Sequence, residues 1–298
     1  MKILCIGKSG QVAQALAERT AFAGVDCVCL GRPELDLLSA RSIEAALDGI
    51  RPRLVVNAAA YTNVDGAETD QAAALALNAN AVRRLAEHCS DRGLPLVHLS
   101  TDYVFDGSGA EPFVETDGTA PLNAYGASKL AGEMAVREAL SQHVILRTAW
   151  VYSPFGRNFV KTMLRLAEEQ GGASVVNDQI GAPTSALDIA DAILLIARQI
   201  DAGSEPEKCG TYHYAASGEA SWADVAALIF EIYEKRHGCK IKLKRIPSSD
   251  YATPARRPLN SRLNTNKITE TFGVVPKDWK LSLEATVERL LQERAETR

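Results

Sequence analysis

The stretch Lys2-Ile3-Leu4-Cys5-Ile6-Gly7-Lys8-Ser9-Gly10-Gln11-Val12-Ala13 decides the fold. Lys2 to Ile6 is a short run rich in β-formers, Gly7 to Gly10 is a glycine turn, and 14–20 has helical character. Strand, glycine turn and helix, in that order, are what a dinucleotide-binding fingerprint requires. The spacing is Gly-x-x-Gly-x-x-Ala, and the last small residue still permits close helix packing. Backbone N–H groups at such a helix start, aided by the helix dipole, suit a pyrophosphate. A plain strand-to-helix turn reads the same way locally, so the rest of the chain has to supply the partners.

Working outward, strand-like runs at 25–30, 54–56, 95–100 and 144–147 alternate with helical ones, including a long amphipathic helix over 72–88. That alternation predicts an α/β fold with a doubly wound parallel sheet of the Rossmann kind. Right-handed crossovers then place the Gly7 turn, Ala58-Ala59-Ala60, Thr101 and Trp150 along one edge of the sheet. Open α/β sheets bind ligands along such an edge. After the second strand, Arg32 suits a 2′-phosphate, whereas Glu34 suits a ribose hydroxyl. The balance favours NADPH and leaves NADH open. Asp36 and Leu37 are placed beside the adenine. Past residue 152 the pattern loosens, with helices at 159–168, 186–198, 222–236 and 281–294 and a basic strand at 240–246. The expected division is a dinucleotide-binding domain over 1–152 and a smaller C-terminal α/β substrate lobe over 153–298. Elements near 183–216 are expected to return to the first sheet.

Chemistry concentrates in Tyr125-Gly126-Ala127-Ser128-Lys129. Residues four apart share a helix face, so Tyr125 and Lys129 point into one site. A neighbouring ammonium favours the phenolate and would lower the tyrosine pKa toward a useful range. Thr101 ends a strand and adds a hydroxyl. Together the three suit proton delivery to a carbonyl oxygen during its reduction.

The 298 residues are 46% hydrophobic and 23% charged, with a net charge of -4. That composition is globular and gives no general attraction to nucleic acid or an anionic membrane. No apolar run has the length of a membrane span, and no signal-peptide pattern is present, so a cytoplasmic location is expected. Six cysteines form no Cys-x-x-Cys pair, and the five histidines show no metal-ligand spacing.

With these residues laid out, the chain resembles the extended short-chain dehydrogenases/reductases, and within them the dTDP-4-dehydrorhamnose reductase family. The resemblance runs the whole length. It rests on Gly7 to Val12, Val56 to Thr62, Ser100 to Gly107, Pro121 to Gly126, Arg147 to Tyr152, Asn177 to Thr184 and Pro254 to Leu263. It implies reduction of the C4 ketone of a dTDP-sugar by NAD(P)H, with Thr101, Tyr125 and Lys129 as the catalytic set. Implied cofactor contacts are Gly10, Gln11, Val12, Asp36, Leu37, Ala58, Ala59 and Ala60, with Tyr125 and Lys129. Implied substrate contacts are Thr101, Asp102 and Trp150. Arg256 and Arg257 suit the diphosphate, because guanidinium matches phosphate oxygens.

One departure stands out. Some members bind magnesium through glutamates at a dimer interface, and Ala15 and Leu187 stand at two of those positions here. A hard divalent cation would lack oxygen ligands, so no metal is expected, and either a monomer or a homodimer is compatible. A 4,6-dehydratase or 4-epimerase of the same fold is the nearest alternative. Dehydratases carry Thr-Asp-Glu where this chain has Thr101-Asp102-Tyr103. A non-catalytic regulatory homologue is the other alternative, although it has no need of a proton donor.

Overall fold

The computed structural model describes residues 1–203 and 206–296. β1 (Lys2–Ile6), α1 (Gln11–Ala23), β2 (Asp26–Leu30), α2 (Ala40–Ile50) and β3 (Leu54–Asn57) begin the winding. α3 (Val64–Thr69), α4 (Gln71–Leu75) and α5 (Ala81–Asp91) lead into β4 (Leu96–Thr101), and α6 (Ala124–Ala139) leads into β5 (His143–Thr148). The chain continues through β6 (Val151–Tyr152), α7 (Phe159–Gln170), β7 (Gly172–Val176), β8 (Ile180–Gly181), β9 (Thr184–Ser185) and α8 (Ala186–Ala202). Then follow β10 (Gly210–His213), β11 (Ala220–Ser221), α9 (Trp222–His237), β12 (Lys242–Ile246), α10 (Asn266–Phe272) and α11 (Trp279–Glu296).

Six strands form one sheet in the order β10-β5-β4-β3-β1-β2, and every neighbouring pair is parallel. Both faces of this sheet are covered, which explains the near-continuous apolar strands. Ile3, Cys5, Leu54, Val56 and Val144 face the layer of α1 and α8. Leu4, Ile6, Val55, Leu96 and Ile145 face the opposite layer, of α2, α5 and α6. Successive residues point to opposite faces of a strand, so one sequence serves both cores. The winding direction reverses between β1 and β3, and this switch point opens a crevice beyond their C-terminal ends. The second lobe has its own core, where Leu164, Ile229, Phe230, Leu283 and Val287 meet between α7, α9 and α11. β10 leaves that lobe and pairs with β5.

Two local differences from the sequence expectation have physical causes. The helix expected over 72–88 is interrupted by a π-helical turn at Ala76–Asn80, which joins α4 to α5. Asn78 sits at its centre, accepting from Tyr61 N at 2.8 Å and donating to Tyr61 O and to Ser128 Oγ. A Cβ on Gly132 of α6 would lie 2.1 Å from the Asn78 carbonyl oxygen, so the widened turn is seated directly on α6. The basic strand expected at 240–246 is present as β12, but its parallel partner is β7, whose glycine-rich start did not read as a strand.

Candidate active site

The glycine turn after β1 enters the switch-point crevice. Gly7 has φ +125, and a Cβ there would come within 3.0 Å of the Ala58 carbonyl carbon and Ala59 N. Only glycine allows both this conformation and this approach. Gly10 caps α1 without any side-chain hydrogen bond, so the first N–H groups of the helix remain available to an anionic ligand. A cavity of about 510 Å³ opens above them. Gly7, Gly10, Arg32, Asp36, Leu37 and the stretch Ala58-Ala59-Ala60 are among the residues that line it. These features fit an extended dinucleotide diphosphate. The crevice does not use every expected residue in the same way. Val12 buries its side chain in the core. Gln11 turns its amide away, accepting from Ser153 Oγ and Asn158 Nδ2 at 2.8 and 3.0 Å. Both residues can offer only backbone to a ligand there. Glu34 is held by Lys8 at 2.6 Å, which leaves Arg32 exposed at the rim.

α6 delivers the phenol and the ammonium. Asn123 caps it, its Oδ1 accepting from Gly126 N and its Nδ2 donating to Arg256 O, both at 2.8 Å. Lys129 is buried and its Nζ donates to Leu99 O at 2.6 Å. Burial lowers the Lys129 pKa to about 8, with the Glu133 carboxylate working against that fall. Tyr125 is half-buried, with its ring edge-on to Tyr103 at 5.9 Å. Its phenol does not fall as the neighbouring ammonium suggested. Burial, and then the Asp102 charge, push it up to about 12, and a hydrogen bond with Thr101 only partly opposes them. Desolvation of the phenolate governs the phenol, and the ammonium one turn away does not bring it down.

Thr101 stands at the C-terminal end of β4 and donates from Oγ1 to Asp102 Oδ1 at 3.0 Å. Asp102 is buried, its carboxyl pushed up to about 6 by desolvation, and its Oδ2 has no hydrogen-bond partner. Trp150 follows β5 with φ +50, a conformation that side chains rarely adopt. Its ring stacks on Trp222 at 3.7 Å and lies where a Cβ on Gly181 would intrude, 2.7 Å from Cε2. Arg257 lines a separate cavity of about 670 Å³ with Arg256, Gln179, Ser248 and Tyr251. Its guanidinium is already paired with Asp65 at 2.9 Å, whereas Arg256 is exposed.

Several neighbours escaped the sequence reading. Trp222 backs Trp150, Ser261 lies beside Asp102 and partly offsets the rise of its carboxyl, and Glu133 lies one turn beyond Lys129. Of these, only Glu133 left a signal, since it continues the four-residue spacing of Tyr125 and Lys129. Ala15 is buried and Leu187 half-buried in the α1–α8 layer. Among the described residues, no group of three or more His, Cys, Asp or Glu is placed to hold a metal ion, and no helix is long and apolar enough to cross a membrane.

Comparison with known proteins agrees over nearly the whole length. A family model described as the RmlD substrate binding domain matches residues 1–292. A dTDP-4-dehydrorhamnose reductase of Sinorhizobium fredii is 45% identical over 293 residues, covering 98% of this chain and 99% of that protein. The crystal structure of a dTDP-4-dehydrorhamnose reductase from Clostridium acetobutylicum superposes with a TM-score of 0.90 at 33% identity, covering 98% of this chain and all of that one. A Bacillus anthracis dTDP-4-dehydrorhamnose reductase in complex with NADP gives a TM-score of 0.86 at 33% identity, covering 98% and 99% of the two chains. The chain belongs to the dTDP-4-dehydrorhamnose reductase family.

Proposed function

We propose that the protein reduces the C4 ketone of dTDP-4-dehydro-β-L-rhamnose to dTDP-L-rhamnose, the last step of dTDP-L-rhamnose synthesis, in the cytoplasm. The observation that carries this reading is the meeting of Thr101, Tyr125 and Lys129 at the sheet edge that also bears the glycine-lined crevice. A bound NADPH, or NADH, would supply a hydride to the sugar C4. The α1 N-terminus and the Ala58–Ala60 backbone would hold its diphosphate. Lys129 would bind the nicotinamide ribose. Thr101 orients the sugar carbonyl, and Tyr125 holds a proton at its phenol oxygen and gives it to the C4 oxygen as negative charge develops there. A phenol pushed up to about 12 is fully protonated at neutral pH, which is the form a donor needs. The transfer remains favourable because a sugar alkoxide is the stronger base. Trp150 covers the sugar ring, and Arg256 with Arg257 meets the diphosphate of the substrate.

The test is NADPH oxidation followed by absorbance, with the 4-keto sugar nucleotide generated in place by the enzymes that precede this step. Substrate-dependent oxidation supports the assignment. None with either cofactor, from folded protein that binds nucleotide, overturns it. The burial of Lys129 sets a pH dependence. Its neutral form gains as pH rises through about 8, so kcat/KM for NADPH should be level between about 6, where Asp102 titrates, and 8, and fall about tenfold per unit above that. Gly7→Ala should raise the NADPH Kd about tenfold by titration of nicotinamide fluorescence. The turn must shift to relieve roughly 1–2 kcal/mol of backbone strain together with the contact on Ala58.

A further inference from the structure

Glu133 lies one helical turn beyond Lys129 on α6, and none of its side chain is exposed. Ser100 Oγ donates to its Oε1 at 2.6 Å. Arg147 approaches as a fork, Nε to Oε1 at 2.8 Å and Nη2 to Oε2 at 2.7 Å. Arg137 adds a 2.7 Å bond to Oε2 and reaches Thr211 Oγ1 on β10 at 3.1 Å. Ser100 and Arg147 are register partners on β4 and β5, one residue before the paired Thr101 and Thr148. The helix is therefore fastened to consecutive residues of β4. Lys129 bonds the carbonyl of Leu99, Glu133 bonds the hydroxyl of Ser100, and Tyr125 faces Thr101.

A buried ion pair is weak evidence of stability, because apolar residues of the same volume often pack as well. The carboxylate needs another reason. We infer that Glu133 is a positioning residue for the reduction: it fixes α6 against β4 and β5 at the height that sets Lys129 and Tyr125 beside Thr101. This rests on the roles proposed above for Lys129 and Tyr125. The electrostatics agree, since burial lowers the Lys129 pKa and the Glu133 charge is what opposes that fall. The other charged or titratable groups around this core do not replace it. His98 on β4 is kept neutral by burial, Arg147 and Arg137 are cations, His213 on β10 lies against Arg147 at 3.4 Å, and Asp102 faces Tyr125.

The test compares Glu133→Gln, the double variant Glu133→Leu with Arg147→Met, and Lys129→Met with the unaltered enzyme. The readouts are the pH profile of kcat/KM for NADPH, the NADPH KM at pH 8, and near-ultraviolet circular dichroism. The alkaline limb should move to lower pH by about one unit in Glu133→Gln, the size of effect a neighbouring opposite charge produces, and by less in the double variant, which also loses the Arg147 cation, and the NADPH KM should rise several-fold in both. If Glu133→Gln fails to fold because Arg147 is left uncompensated, the double variant decides, since it removes both charges together. A folded variant whose limb and KM match the unaltered enzyme, with only its melting temperature changed, overturns the inference. Lys129→Met separates the two levels. A limb lost there yet unmoved in the Glu133 variants overturns the role of Glu133 alone. A limb that persists without Lys129 overturns the catalytic reading beneath it.

Discussion

Tyr125→Phe should lower kcat by about 10³-fold, the scale of a positioned proton donor, while NADPH binding changes little. The substitution removes one oxygen and keeps the ring, so the edge-on contact with Tyr103 at 5.9 Å survives. The phenol is the group placed to release a proton as the alkoxide forms. Thr101 cannot substitute for it, because an aliphatic hydroxyl is a far weaker acid than a phenol, and its oxygen already lies within hydrogen-bond reach of Asp102 Oδ1 at 3.0 Å. Residual activity would come from orientation within the crevice alone. Single-turnover oxidation of NADPH, beside a nucleotide titration, separates the two effects. Turnover within a few-fold of the unaltered enzyme would sink the proposed mechanism.

Gly126→Ala should be nearly as damaging, although the residue has no side chain to contribute. A Cβ there would stand 2.1 Å from the Tyr103 carbonyl oxygen and 3.0 Å from its carbon. Those atoms are backbone and cannot turn aside. α6 would have to retreat, carrying Tyr125 and Lys129 away from Thr101. We expect a loss of about 3 kcal/mol in stability, the upper range for overpacking, and at least a 10²-fold fall in kcat from misplacement of the donor. Gly49→Ala is the control. That glycine is also in a helix, but nothing lies within 4 Å of its Cβ position. Helix propensity alone should make it neutral or stabilising by up to about 1 kcal/mol. Urea unfolding of the two variants, read beside their activity, checks the contrast. Equal behaviour would mean that the seat of α6 on Tyr103 is unimportant.

The central sheet was legible because its code is local. A strand needs only its own apolar residues, a glycine turn declares itself at Gly7 and Gly10, and Tyr125 and Lys129 are linked by the pitch of one helix. The second lobe was less so. β7 begins Gly172-Ala173-Ser174, with little apolar character of its own, and it becomes a strand only through its ladder with β12, some seventy residues later in the chain. The π turn at Ala76–Asn80 was hidden for a similar reason, since Asn78 takes its partners from Tyr61 and Ser128.

The sequence by itself determined the α/β class and the winding of the sheet, and it nominated the hydroxyl, phenol and ammonium of Thr101, Tyr125 and Lys129 as a group. Tertiary structure alone decided what surrounds them. Glu133 meets Ser100 across 33 residues, Arg257 meets Asp65 across 192, and Trp222 arrives from another lobe to support Trp150. It also decided the state of Tyr125. A nearby lysine can be counted along a helix, but desolvation is a property of everything packed around the phenol. Here it raises the pKa that the lysine was expected to lower.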